Sequence, residues 1–189
     1  MARRVFFSFH YQDVIDFRAN VVRNHNVTKD NNGGFFDASI WESSKKQGDL
    51  TLKRLINGGL DNTSVTVVLI GSQTYARRWV RYEIMKSIER GNTVLGIHIN
   101  GIRDRFGQVQ AQGPSPFDYL GLQISADGGF GTPTVWSGSE WVYYQDIGKF
   151  SVNEQPQDKR GQNLKLKTWL PAYDWVSDNG FENFGRWVA

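Results

Sequence analysis

Apolar residues in the first hundred positions alternate between short continuous runs and longer stretches with helical spacing. The short runs are rich in Val, Ile and Phe, which is typical of strands buried on both faces of a sheet. The longer stretches repeat apolar side chains every three or four positions, which predicts amphipathic helices. In chain order the pattern predicts a strand at 5–9, a helix at 12–24 with apolar Val14, Phe17 and Val21, a strand at 35–37, a helix at 49–57 stopped by Gly58-Gly59, a strand at 64–70, a helix at 77–90 stopped by Gly91, and a strand at 93–99.

Strands that alternate with helices favour right-handed βαβ units and a parallel sheet. Residues 1–100 are therefore predicted to form a flavodoxin-like α/β core. After a loop at 101–118, two aromatic runs at 135–136 and 141–144 flank a glycine-containing turn and predict a β-hairpin. A final helical region is predicted at 172–188. We expect residues 101–189 to be a C-terminal extension that packs on the core, so that the chain is a single globular unit.

Composition narrows the possible chemistry. The chain has 189 residues and no cysteine, which excludes disulfides, thiol nucleophiles and cysteine-ligated zinc. Its three histidines lie far apart and form no H-x-x-x-H pair, so no metal site is predicted. A net charge of +3 from scattered basic residues does not favour a nucleic-acid partner.

The apolar runs are also too short to involve a membrane. No run approaches the roughly 20 residues of a membrane span. The run near the N-terminus is shorter than the about 7–15 apolar residues of a secretory signal. We therefore expect a cytoplasmic protein that binds neither a membrane nor nucleic acid.

Candidate site residues follow the first and third predicted strands. In doubly wound sheets, ligands bind at the carboxyl ends of the strands, where the strand order reverses. Two segments of the chain are expected to meet at that edge. They carry Phe9, His10, Tyr11 and Asp13 after the first strand, and Gly71, Ser72 and Gln73 after the third.

Glu83 is the leading candidate for chemistry. At about 100° per residue, Val80, Ile84 and Ile88 form the buried stripe of the third predicted helix, and Trp79 and Glu83 lie together at the edge of that stripe. The early position of Glu83 in the helix should turn its carboxylate toward the crevice. The helix dipole also favours an early glutamate. On spacing alone, a structural role for Glu83 and a packing role for Trp79 therefore stay open.

Several short sequence segments resemble those of a known protein family. They are Arg-Val-Phe-Phe-Ser-Phe-His at 4–10, Phe36-Asp37, the strand 67–70 followed by Gly71-Ser72, Trp-Val-Arg-Tyr-Glu-Ile at 79–84, and Gly91-Asn92. In this order they resemble TIR domains, and most closely the TIR-like subunits of bacterial Thoeris anti-phage systems. The segments 113–121 and 173–176 also resemble that family, so the likeness covers nearly the whole chain.

The resemblance implies an enzyme that consumes NAD⁺ as its substrate and uses no separate cofactor. Such a protein cleaves the bond between nicotinamide and ribose, and the Thoeris type cyclises ADP-ribose into a signalling nucleotide that activates a separate effector. On this resemblance Glu83 is the catalytic glutamate and His10 lies near the substrate. Homo-oligomers through TIR contacts are a further expectation.

Elementary chemistry agrees with that assignment. Nicotinamide leaves a pyridinium as a neutral base, so the reaction needs no general acid but does need negative charge near the oxocarbenium-like ribose. Aromatic walls would exclude water and stack on flat rings. The candidates for such walls are Phe9, Tyr11, Trp41 and Trp79.

For the pyrophosphate of NAD⁺ the chain has no G-x-G-x-x-G or P-loop motif, which argues against Rossmann-type redox use of the dinucleotide. Arg77, Arg78 and Arg81 are candidate phosphate contacts, although a cluster of charges on a helix is usually a solvated face.

Three other interpretations stay open at this point. One is a non-catalytic TIR module that assembles a signalling complex. Another is a different enzyme of flavodoxin-like fold that acts on an N-glycosidic bond with one glutamate. A receiver domain with Asp13 or Asp37 as phosphoacceptor is disfavoured, because Asp37 follows the second predicted strand and not the third.

Overall fold

The structure is a computed structural model that describes residues 4–11, 13, 17–25 and 46–189. Its helices are α1 (Arg18–Arg23), α2 (Asp49–Leu60), α3 (Arg78–Glu89) and α4 (Gly180–Trp187). Its strands are β1 (Val5–Phe9), β2 (Val65–Ile70), β3 (Thr93–His98), β4 (Leu120–Ile124), β5 (Phe130–Trp136), β6 (Trp141–Tyr143), β7 (Phe150–Ser151), β8 (Asn163–Lys165) and β9 (Ala172–Asp174).

A parallel sheet forms the centre of the protein, with the described strands in the order β1-β2-β3-β9. Strand β2 pairs with β1 on one side and β3 on the other, and every residue of β2 is buried. Burial on both faces explains why β2 reads as a continuous run of β-branched and leucine side chains. The predicted α/β fold with a parallel sheet is confirmed. The predicted strand 35–37 and Trp41 lie outside the described residues.

Helix α3 is buried over more of its circumference than the predicted stripe. Val80 and Ile84 are buried as expected, but Tyr82, Glu83 and Met85 are buried as well. One core cluster joins side chains of α3 to those of the parallel sheet and to Leu120, Leu122, Tyr144 and Phe150 from the C-terminal half of the chain. That half therefore covers side chains of α3 that lie outside the stripe.

An antiparallel sheet with strand order β6-β5-β4-β8, in which β7 also pairs with β5, makes up most of the C-terminal half. The predicted hairpin is confirmed, with Trp136 opposite Trp141. Asp146 follows this hairpin and forms ion pairs of 2.7 Å with Arg78 and 3.0 Å with Lys53. These ion pairs fasten the antiparallel sheet to α2 and α3.

The prediction of a helix at 172–188 is wrong for the first part of that range. Strand β9 pairs there with β3, with Ala172 opposite Gly96 and Asp174 opposite His98. Tyr173 stacks on Trp187 of α4 with ring centroids 4.3 Å apart. The aromatic spacing in this tail therefore reflects packing between a strand and a separate helix.

The predicted boundary at residue 100 stays a prediction, while β9 shows that the C-terminal half supplies a strand of the central sheet. Within the described ranges, no helix has the length and apolar character needed to cross a membrane.

Two further predictions about helices are corrected. Helix α2 continues through Gly58-Gly59 to Leu60, because Leu60 is fully buried and holds the last turn in place. At the start of α1, Phe17 has a left-handed φ of 65°. The predicted helix is therefore interrupted at Phe17: Tyr11 and Asp13 are helical before it, and α1 begins at residue 18 after it. Phe17 and Val21 are 51% and 45% exposed instead of buried. Val14 lies outside the described residues.

Candidate active site

Glu83 lies in the second turn of α3 and is only 6% exposed. The hydroxyl of Ser8 on β1 donates a 2.5 Å hydrogen bond to Glu83 Oε2. Burial raises the pKa of Glu83 to about 8, while the Ser8 hydrogen bond opposes this shift because it favours the charged form. A carboxyl group with such a perturbed pKa at the ligand-binding edge of an α/β sheet is a candidate for catalysis.

The main chain around Glu83 is also fixed. Ser87 Oγ donates a 2.6 Å hydrogen bond to the Glu83 carbonyl oxygen, and Thr66 Oγ1 on β2 donates to Ser87 Oγ at 2.8 Å. A residue of β1 therefore holds the side chain of Glu83 in position, and a residue of β2 holds the helix backbone in position. Sequence reasoning missed Ser8. The available signal was a polar residue within an apolar strand, because a buried hydroxyl needs a hydrogen-bond partner.

The loops after β1 and β2 meet, as predicted from the strand order. Asp13 is 3% exposed and lies directly against Gly71, where a Cβ would be 2.2 Å from Asp13 Oδ1. Thr74 Oγ1 accepts a 2.9 Å hydrogen bond from the Gly71 amide and donates to Asp13 Oδ2 at 3.4 Å. The Asp13 amide donates to the His10 carbonyl oxygen at 3.0 Å. Gly71 therefore admits a buried carboxylate that ties the two loops together.

His10 and Ser72 are half-buried at this edge of the sheet. Burial, together with the positive charge of Arg77, lowers the pKa of His10, so the imidazole is neutral at pH 7. Gly113 packs on the loop after β2, where a Cβ would be 2.5 Å from the Ser72 carbonyl oxygen. Tyr11 is 39% exposed. Substrate contacts by these three predicted residues stay predictions.

The side chain of Phe9 does not join Ser8 and Glu83. Neighbouring residues of a strand point to opposite faces of the sheet. Phe9 packs against the core cluster that contains Ala19 and Val22 of α1, and the guanidinium carbon of Arg23 lies 5.3 Å from its ring centroid. A role for Phe9 in substrate binding therefore has no support from its neighbours here, and it stays a prediction.

Trp79 is a packing residue in this structure. It is half-buried against the core cluster around α3, and its ring lies edge-on to Tyr82 with centroids 5.9 Å apart. The guanidinium carbon of Arg78 lies 4.8 Å from the indole centroid. Whether Trp79 also contacts a ligand stays a prediction.

Together these residues provide one carboxylate, held by a hydroxyl donor, in a position that water reaches poorly. In its ionised form this carboxyl would suit the stabilisation of a developing positive charge, because the electrostatic effect of a charge is stronger in a water-poor site than in water.

Comparison with known proteins identifies the family of this chain. A family model described as the TIR-like domain of the Thoeris protein ThsB matches residues 6–104, a segment that contains β2, Ser8 and all of α3. A Bacillus cereus (strain MSX-D12) protein named "Putative cyclic ADP-D-ribose synthase ThsB1" is 59% identical over 191 residues, and the match spans 100% of both chains. This chain therefore belongs to the ThsB family of TIR-like Thoeris proteins.

Proposed function

We propose that this protein cleaves the nicotinamide–ribose bond of NAD⁺ and cyclises the ADP-ribose into a nucleotide that activates a separate effector in anti-phage defence. The observation that carries the proposal is the buried Glu83 carboxyl held by Ser8 at the ligand-binding edge of the sheet. The full-length relative that is named as a cyclic ADP-D-ribose synthase supports the same reaction.

Bond cleavage requires stabilisation of a cation. The C–N bond between ribose and nicotinamide breaks, its electron pair leaves with nicotinamide, and positive charge develops on the ribose ring. Glu83 would stabilise this charge, and the Ser8 hydroxyl would hold one carboxylate oxygen in position so that the other faces the ribose.

Cyclisation follows when an atom of the adenosine end attacks the same carbon. Water competes for that carbon, and attack by water gives plain ADP-ribose. The low exposure of Glu83 favours the cyclic product, because the carboxylate lies where few water molecules can reach.

The protonation of Glu83 depends on what lies beside it. Because the pKa of Glu83 is about 8, this carboxyl group is neutral in most molecules at pH 7. The positively charged nicotinamide ring of bound NAD⁺ would lower this pKa, because an opposite charge nearby favours the carboxylate. Substrate binding would therefore produce the charged form that the reaction uses.

The remaining predicted site residues fit around this centre as substrate contacts. His10 and Ser72 lie on loops at the same edge of the sheet, and Tyr11 presents an exposed ring. We assign Phe9 and Trp79 supporting roles in the walls, through packing. The effector would be reached by the diffusible product in the cytoplasm, and TIR contacts between copies of the chain would allow a homo-oligomer.

Mass spectrometry of the reaction tests the proposal. Purified protein is incubated with NAD⁺ beside Glu83→Gln and beside Glu89→Gln, a control on the same helix whose carboxylate pairs with Lys86. The experiment is repeated in lysate from phage-infected cells, in case an infection signal is needed. We expect nicotinamide and a product isobaric with cyclic ADP-ribose from the wild type and the control only.

Each other outcome has a definite meaning. Plain ADP-ribose would indicate a hydrolase. Turnover by folded Glu83→Gln would refute the role of Glu83. No turnover by any variant in either setting would favour a TIR module that only binds other proteins.

A further inference from the structure

The arginines near the start and at the end of α3 differ in whether they have carboxylate partners. Arg78 forms ion pairs of 2.7 Å with both Asp49 and Asp146. Arg90, just beyond the end of the helix, pairs with Asp61 at 2.5 Å. These two guanidinium groups already have carboxylate partners, so neither needs a further anion.

Arg77 is different, because its side chain bonds only to a neutral group. One terminal nitrogen donates to the side-chain oxygen of Gln73. Its Nε is buried and has no hydrogen-bond partner among the described residues. A buried guanidinium nitrogen without an acceptor is unfavourable, and an anionic ligand would satisfy it.

Arg77 immediately precedes α3 and follows the carboxyl end of β2, so it lies at the same edge of the sheet as the loop after β1. Burial, together with the positive charge of Arg77, lowers the pKa of His10 on that loop. The buried hydrogen bond from Ser8 to Glu83 also joins β1 to α3. Ser8 and His10 are two residues apart, which spans about 7 Å where the chain is extended. From Glu83 back to Arg77 is six residues of helix, or about 9 Å.

The distances along β1 and along α3 are therefore similar. In a βαβ unit the helix runs against the strands, so its first residues lie at the carboxyl ends of the strands. Glu83 and Ser8 form an inner contact, while Arg77 and His10 lie farther out, toward the carboxyl edge of the sheet. A ligand that reaches from the Glu83–Ser8 contact to Arg77 would need a sugar at the first and an anionic group at the second. The two ends are separated by about the length of one sugar-phosphate unit.

We propose that Arg77 binds the pyrophosphate of NAD⁺ and so places the nicotinamide ribose beside Glu83. The assignment rests on the proposed function, and it supplies the phosphate contact for which the sequence has no glycine-rich motif. Arg77 acts as a substrate-binding residue, and Gln73 holds its guanidinium at the rim.

Binding measurements in the Glu83→Gln background test this assignment, because NAD⁺ then stays intact during titration. Calorimetry gives the Kd of NAD⁺ and of nicotinamide riboside, which has the same nicotinamide–ribose unit but no phosphate. Adding Arg77→Gln is expected to weaken NAD⁺ binding about 10- to 100-fold, the usual range for a hydrogen bond to a charged group. Nicotinamide riboside should bind within about twofold of the parent.

Arg90→Gln is the matched control, since it removes an arginine at the far end of α3. It should leave both Kd values unchanged, and melting by circular dichroism checks that each variant is folded. Arg77→Lys keeps the charge but not the planar fork. We expect its NAD⁺ affinity to lie between those of the parent and Arg77→Gln.

The possible failures are distinguishable. If Arg77→Gln left NAD⁺ affinity unchanged, or weakened both ligands equally, the assignment of Arg77 would be overturned while the proposed function stood. If the Glu83→Gln parent bound neither ligand and the wild type consumed no NAD⁺, the proposed function itself would be overturned. Should Arg77→Gln not fold, an Arg77→Lys variant with the NAD⁺ affinity of the parent and a salt-independent Kd would overturn the assignment.

Discussion

Replacing Glu83 by Gln should make the protein more stable at neutral pH, although it removes the residue proposed for catalysis. The ordinary pKa of this carboxyl is 4.5, and burial raises it to about 8 in the folded protein. Between these values the folded state keeps a proton that the unfolded chain has lost. Stability therefore falls as pH rises through this window, by about 1.4 kcal/mol per pH unit.

The magnitude follows from the same two pKa values. From pH 4.5 to pH 7 the buried carboxyl lowers the free energy of unfolding by about 3 kcal/mol, and by pH 8.5 the loss reaches about 4–5 kcal/mol. Gln has nearly the same shape and can still accept the Ser8 hydrogen bond, but it carries no charge. The variant should therefore gain about 3 kcal/mol at pH 7, equivalent to about 6–12 °C in Tm.

Urea unfolding at pH 4.5, 7 and 8.5 measures this effect. The stability difference between Glu83→Gln and the wild type should be under about 0.5 kcal/mol at pH 4.5 and grow with pH. Glu89→Gln is the control, because Glu89 is 29% exposed and pairs with Lys86 on the surface of the same helix. Its difference should stay small at every pH. A Glu83→Gln difference that does not vary with pH, or a variant less stable than wild type at pH 8.5, would refute the reasoning.

Other variants test the positions around the site. Ser8→Ala removes the donor to the Glu83 carboxyl, the group proposed for catalysis, and should lower kcat for NAD⁺ loss about 10- to 100-fold; an unchanged kcat would argue against a positioning role. Gly71→Ala should lower the free energy of unfolding by about 1–3 kcal/mol, because its Cβ meets Asp13. Gly58→Ala should raise the free energy of unfolding by about 0.5–1 kcal/mol, because Gly58 is inside a helix with open space around it. Urea unfolding of the two glycine variants should therefore show changes of opposite sign. Asp146→Asn removes ion pairs to an arginine and a lysine and should lower stability by about 1 kcal/mol, with the difference from wild type shrinking in high salt or as the wild-type carboxylate becomes protonated in acid.

Patterns within a short window predicted much of the core. Strands β1 to β3 and helix α3 each carry their own apolar period, and the hairpin of Trp136 and Trp141 has aromatic strands on both sides of a glycine turn. Strand β9 has no such local signal. Its three residues are extended because they pair with β3, a partner far away in sequence.

The same distinction applies to the site. Glu83 could be proposed from its helix position, but its partner Ser8 lies 75 residues away, and only the sheet brings the two together. Gly58-Gly59 predicted a helix end from local propensity, yet burial of Leu60 carried the helix past them. Contacts between distant segments override local preference in each of these cases.

The position of β9 also determines when the protein can fold during synthesis. The outer edge of β3 stays unpaired until Ala172–Asp174 have been translated, more than seventy residues after β3 itself. A ribosome that stops early releases a polypeptide with an open sheet edge, which is prone to aggregate and to be degraded. The described part of the central sheet is therefore complete only after residue 174 has been made, and a chain that stops before residue 172 leaves the edge of β3 open.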